Sequence, residues 1–202
     1  MMTKRELVKK IIKVSGGIVK TSEFEEAGLA RYEVCRLCDE GFLERIRHSY
    51  YMLAGDADIS DEKILSLLLP EGIICVESAL FHYGYSDFMP RIWNVAVPRT
   101  ISRSRLKIDR IQMKIYYIPD EQINIGKTKD VFNAVELPVY DRERTLCDCF
   151  KYRTKLDAEI FNKAVHAYAA DEKKNLYNLS KYTEEMKLTK RVNDLMEVIL
   201  NG

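Results

Sequence analysis

The spacing of apolar residues changes character several times along the chain, and each change marks an element. Residues 3–14, TKRELVKKIIKV, set Leu7, Val8, Ile11, Ile12 and Val14 on one helical stripe with lysines opposite, and Thr3 with Glu6 forms a capping box. Gly16-Gly17 ends that helix. IVK at 18–20 reads as a short strand, after which Thr21 or Ser22 can cap a brief second helix through Glu26, closed by Gly28. A third helix runs from about Ala30 to Glu40, with Val34, Leu37 and Cys38 inward and Gly41 as its stop. GFLERIRHSYYML at 41–53 then alternates apolar and basic residues with period two, and the polar pair His48-Ser49 midway folds it into a hairpin. Helix, short strand, helix, turn, helix and hairpin is the layout of a winged helix-turn-helix.

Beyond it the rhythm is mixed. GDADIS at 55–60 clusters Gly, Asp and Ser as a linker, Ser60 caps a helix through Leu69, and Pro70 stops it. IICV at 73–76 suits a buried strand, ESALFHYG a helix ending at Gly84, and WNVAVP a strand cut off by Pro98. Ile111, Met113, Ile115 and Tyr117 alternate in a further strand, and PVYDRERTLCDCF turns into a helix. Ile160, Phe161 and Val165, then Leu195, Val198 and Ile199, recur at helical spacing. The expected fold is α+β: a winged helix-turn-helix over 1–54, a linker at 55–59, and a mixed α/β domain over 60–202 closed by C-terminal helices.

Charge changes this picture through its distribution. The chain of 202 residues nets +1, yet residues 55–90 carry 1 Lys/Arg against 7 Asp/Glu, and residues 91–115 carry 7 against 1. Only the second stretch could draw an anionic partner. No apolar run reaches the roughly 18 residues of a membrane span, and MMTKRELVKK lacks the apolar core of a signal peptide, so a soluble cytoplasmic chain is expected. Five cysteines, an odd count, fit reduced thiols better than a disulfide framework.

The candidate chemistry is nucleic-acid binding. On the third helix Arg31, Tyr32 and Arg36 face out near the end that a recognition helix presents to base edges, where arginine contacts guanine bidentately. Lys20, Thr21 and Ser22 stand where the second helix begins, a place whose N–H groups suit a phosphate, and Arg45, Arg47 and His48 occupy the wing. Arg99, Arg103, Arg105, Lys107, Arg110 and Lys114 form the most basic window of the chain, with three readings: a solvated face, a second nucleic-acid surface, or a dock for the acidic stretch. No metal or cofactor is expected. Cys35-x-x-Cys38 and Cys147-x-Cys149 sit inside amphipathic helices rather than on turns. Asp56-x-Asp58 lacks the Gly-Ser turn of a nucleotidyltransferase. Asp141, Glu143 and Asp148 are better placed to pair with Arg142 and Arg144 at the head of a helix than to cleave anything, and His82 and His166 have no nucleophile beside them.

G-x-x-x-T at 17–21, the turn at Gly28-Leu29, GFLERIRHSYYML, ICVESALFHYG at 74–84, WNVAVPR and YDRERTLCDCF, taken in that order, resemble the AbiEi-type antitoxins of bacterial abortive-infection systems. One departure is Ser49, which stands at the wing tip where the family commonly has glycine. The resemblance implies a non-enzymatic protein whose winged helix binds inverted repeats in its own promoter and represses transcription. The rest would counteract a nucleotidyltransferase-like toxin without having to touch it. Two rivals stand beside this: a winged-helix module that binds protein rather than DNA, and a metal-dependent nuclease.

Overall fold

The structure is a computed structural model that describes residues 3–194; Leu195, Val198 and Ile199 of the expected last helix lie outside the described residues. The chain forms two compact units. The first takes residues up to Leu68 together with Arg103–Ile111, and the second takes Leu69–Ser102 and the chain from Gln112 onward. The division therefore falls after Leu68, later than the linker at 55–59, and part of the basic window belongs with the winged helix.

In the first unit α1 (Lys4–Val14), α2 (Thr21–Glu26) and α3 (Arg31–Asp39) cover one face of a sheet of β1 (Val19–Lys20), β3 (Tyr50–Leu53) and β2 (Leu43–Arg47), with β3 central. Each helix is started by a glutamate three residues past its N-cap: Glu6 accepts from the Thr3 N–H at 2.7 Å, Glu23 from Lys20 at 2.8 Å and Glu33 from Ala30 at 2.9 Å. Val8, Ile12, Val19, Phe24, Leu29, Val34, Leu37, Leu43 and Tyr51 form the core between helices and sheet. Burying a side chain such as Phe24 or Val34 completely contributes about 1.5–3 kcal/mol.

The opposite face of the sheet is covered too. Neighbouring strand residues point to opposite faces, so Glu44 looks away from the core that Leu43 enters, and it pairs with Arg110 at 2.8 Å. The Asp109 N–H donates to the Ile46 carbonyl at 2.8 Å, while Ile108 and Ile111 are buried. The helix α4 (Asp61–Leu68) belongs to the same unit, and its predicted Ser60 cap is present, accepting from the Lys63 N–H. Gly17 is fixed by Ile59, since a Cβ there would lie 2.2 Å from Cδ1 of that isoleucine, and its φ of +102° is one that L side chains rarely adopt.

The second unit holds a five-stranded sheet in the order β6 (Met113–Ile118), β5 (Trp93–Pro98), β4 (Ile73–Ile74), β8 (Val135–Tyr140) and β7 (Lys127–Phe132). Strand β6 runs parallel to β5 and β8 parallel to β4. With it go α5 (Val76–His82), α6 (Arg142–Lys151), α7 (Ala158–Ala170) and α8 (Leu176–Glu185). Two details depart from the sequence reading. The buried parity of β6 is Tyr116 and Ile118, leaving Tyr117 exposed, and Ile111 lies outside the strand. The hairpin β7–β8 had no apolar alternation to announce it, because five of the six residues of β7 are exposed; it turns through Asn133 and Ala134, both at positive φ.

Candidate nucleic-acid interface

The exposed side of α3 is where the candidate site begins. Val34, Leu37 and Glu33 are buried, so the outward ridge is Tyr32, Cys35 and Asp39, with Tyr32 69 % exposed. Cys38, expected inward, is only partly covered and packs against the edge of the core. Arg31 and Arg36 flank this ridge on opposite sides. Arg31 leans over a cleft that it shares with Lys20, Thr21, Ser22, Glu25, Ser49 and Tyr50. Arg36 leans toward α1, where its Nε lies 3.4 Å from Glu40, which also binds Arg5 at 2.8 Å. The two ion pairs hold the Glu40 carboxyl below its ordinary range, the Arg5 hydrogen bond being the largest cause.

What orients α3 is Glu33, which is buried, receives the Ala30 N–H and pairs with Lys4 of α1. The Lys4 hydrogen bond first, and the Ala30 N–H second, lower its pKa. One side chain thus starts the helix and ties it to α1. Sequence reading missed it, although a Glu three residues after Ala30 repeats the capping signal of α1.

The cleft side is organised by Tyr50. It faces Lys20 across one ladder and Arg47 across the other, and both cations stack on its ring at 5.6 and 4.9 Å. The Lys20 ammonium and the exposed Ser22 therefore border the same opening as Arg31. The backbone there is less available than expected. The Lys20 N–H serves Glu23, the Thr21 N–H donates to the Ser49 carbonyl at 3.0 Å, and the Thr21 hydroxyl is covered, with no partner among the described residues. Thr21 is thus a buried joint between α2 and the wing, and the Lys20 and Thr21 N–H groups at the start of α2 are engaged.

The wing makes its turn without glycine. Ser49 takes φ 65°, its hydroxyl lies 3.0 Å from His48 Nδ1, and His48 is exposed at the tip. The ladder slips between Arg45 and Arg47, leaving Ile46 as a bulge. The slip sends the two arginines different ways. Arg45 is exposed and borders a groove with Cys35, Cys38, Asp39, Tyr51 and Asp109. Arg47 donates to the Leu68 carbonyl at 2.8 Å, capping the C-terminus of α4, where carbonyls lack partners. The phosphate role expected of Arg47 gives way to that cap.

The basic window is divided. Arg103, Arg105, Lys107 and Arg110 belong to the first unit, the first three exposed and Arg110 paired with Glu44. Arg99 and Lys114 belong to the second, Arg99 exposed at the end of β5 and Lys114 with its ammonium 5.6 Å from the Tyr116 ring.

The acidic residues at the head of α6 are architectural. Asp141 caps the helix by accepting from the Arg144 N–H at 2.8 Å. Arg144 is fully buried, pairs with Asp148 at 3.1 Å, donates to the Gln122 and Ile125 carbonyls and lies 4.1 Å over the Tyr140 ring. Glu143 is buried and accepts from Tyr168 and from the Asn175 N–H. Desolvation pushes the Asp148 carboxyl up against the opposing pull of Arg144. Among the described residues no group of three His, Cys, Asp or Glu is placed to hold a metal, and no helix is long and apolar enough to cross a membrane. The cysteines are free, and Cys147 and Cys149 are buried within α6.

By its fold the first unit is a winged helix-turn-helix domain, of the class that lays its third helix into a duplex groove. Residues 6–54 match the family model of the AbiEi antitoxin transcriptional regulators. Among solved structures, the crystal structure of the RV2827C protein from Mycobacterium tuberculosis superposes with a TM-score of 0.70 at 17 % identity, over 95 % of this chain and 75 % of that one. The α+β fold is thereby shared well beyond the matched family span. No curated protein sequence matches the chain.

Proposed function

We propose that this chain is a DNA-binding antitoxin and autorepressor of a cytoplasmic toxin-antitoxin operon. Its winged helix binds inverted repeats in its own promoter, and the chain counteracts a nucleotidyltransferase-like toxin without catalysing a reaction. The observation that carries this is the cleft where Arg31, Lys20, Ser22 and Tyr50 meet beside the exposed Tyr32. It puts a base-reading candidate and backbone-holding groups along one opening, within the span that matches a family of transcriptional regulators. Arg31 and Tyr32 face the major groove, Lys20 and Ser22 hold the adjoining phosphates, and His48 and Arg45 approach from the wing. Arg36 reads from the far flank, at the cost of its contact with Glu40.

Band shifts with the DNA upstream of the operon and with a scrambled duplex test this. The expected result is binding at least about a thousand-fold tighter to the upstream DNA, the lower end of specific recognition. Equal affinity for both would overturn recognition of its own promoter, and binding to neither would leave the protein-docking reading of the winged helix in its place.

A further inference from the structure

The segment Arg103–Ile111 lies between two strands of the second unit's sheet in sequence, yet it packs into the first unit. Its contacts explain how: Ile108 and Ile111 are buried, the Asp109 N–H donates to the carbonyl of the bulged Ile46 of β2, and Arg110 pairs with Glu44 of the same strand. Strand β2 is an edge of the three-stranded sheet, so the segment straps that edge. Asp109 borders the groove that also holds Cys35, Cys38 and Asp39 of α3, which sets the strap beside the reading helix.

The strap reverses the charge of the unit. Residues 1–68 carry 11 Lys/Arg and 12 Asp/Glu, a net of −1, which does not attract a polyanion. The strap carries 4 Lys/Arg and 1 Asp, a net of +3, so the unit as folded carries −1 + 3 = +2. Arg110 is used to anchor it, whereas Arg103 and Lys107 are exposed and have no ion-pair partner among the described residues. Through Asp109 the strap lines the same groove as Arg45, so its exposed cations add to the positive charge of the unit that carries α3.

We infer that the strap is a second duplex-binding element, whose Arg103 and Lys107 grip phosphates flanking the stretch read by α3. The inference rests on the DNA-binding reading above. Such contacts carry no sequence information: they add affinity and salt dependence equally on every duplex.

The test is Arg103→Glu with Lys107→Glu in the full chain, titrated over a range of salt against the upstream DNA and against scrambled DNA. Loss by the same factor on both duplexes is expected, with the log–log salt slope shallower by about 2, roughly 0.9 per phosphate contact removed. The footprint should shorten at its flank, and the melting temperature should stay that of the wild type. The neutral pair Arg103→Gln with Lys107→Gln should reproduce the change in slope. A variant pair that keeps wild-type affinity, slope and footprint overturns the strap proposal while leaving the reading by α3 intact. So does a loss confined to the upstream DNA. A wild-type chain that binds neither duplex removes the DNA-binding reading itself.

Discussion

The two units use ionic side chains in opposite ways. Around α3 the arginines stand in solvent: Arg31, Arg36 and Arg45 are exposed, and their partners, where they have any, are surface carboxylates such as Glu40. Exposed pairs of that kind contribute about 0–1 kcal/mol to stability, so these residues are free to answer to a ligand. At α6 the same residue types are interior: Arg144 is 0 % exposed, Asp148 1 % and Glu143 5 %, with Arg144 donating to backbone carbonyls and to Asp148, and Glu143 accepting from Tyr168 and the Asn175 N–H. A charge in that setting specifies one packing of the helix against its neighbours. The difference separates a surface that can be altered without unfolding from a core that cannot.

The sharpest way to break the contrast is Arg144→Ala, which leaves Asp148 buried and uncompensated. A loss of about 3–5 kcal/mol in denaturant unfolding is expected. A loss under 1 kcal/mol would place Arg144 among the surface arginines after all. Next comes Arg31→Ala, expected to weaken binding to the upstream DNA by about 1–3 kcal/mol with unfolding unchanged. Arg36→Ala should cost less, because Arg36 must first give up Glu40. Fluorescence anisotropy ranks them, and the reverse order would move the reading centre to the α1 flank.

The smallest effect expected is on pH dependence. Glu33 has its pKa lowered by Lys4 and the Ala30 N–H, so its contribution is present above the unfolded glutamate value of about 4.3 and is lost as pH falls below it. Glu33→Gln should flatten this part of the acid-unfolding curve while the wild type loses stability there. Identical curves would deny Glu33 its role in holding α3.

Legibility followed the range of the interactions. The helices of the first unit could be read from Thr3, Gly28 and Gly41 because capping and turning are decided within a few residues, and the wing from strict alternation. The destination of Arg47 could not, since the Leu68 carbonyl it caps is 21 residues away and any basic residue on a wing looks like a phosphate ligand. Arg144 read as a partner for the carboxylates at the head of a helix, and its pair with Asp148 is there, but nothing local signals that the carbonyls of Gln122 and Ile125 also converge on it. The positive φ of Ser49 shows the reverse case, a turn imposed by the ladder on a residue with no local preference for it. The basic window was visible as charge; its division between two units depends on Ile108 and Ile111 finding a core elsewhere.

That excursion has a consequence for how the molecule is made. Translation finishes α4 at Leu68, but Ile111, the last residue of the strap, is 111 − 68 = 43 residues further on. At roughly 5–20 residues per second the interval is about 2–9 s, during which the nascent wing shows the ribosome a bare strand edge and an unneutralised Glu44. Only when the downstream chain has emerged does the first unit regain, against the acids of its linker and α4, a net positive charge.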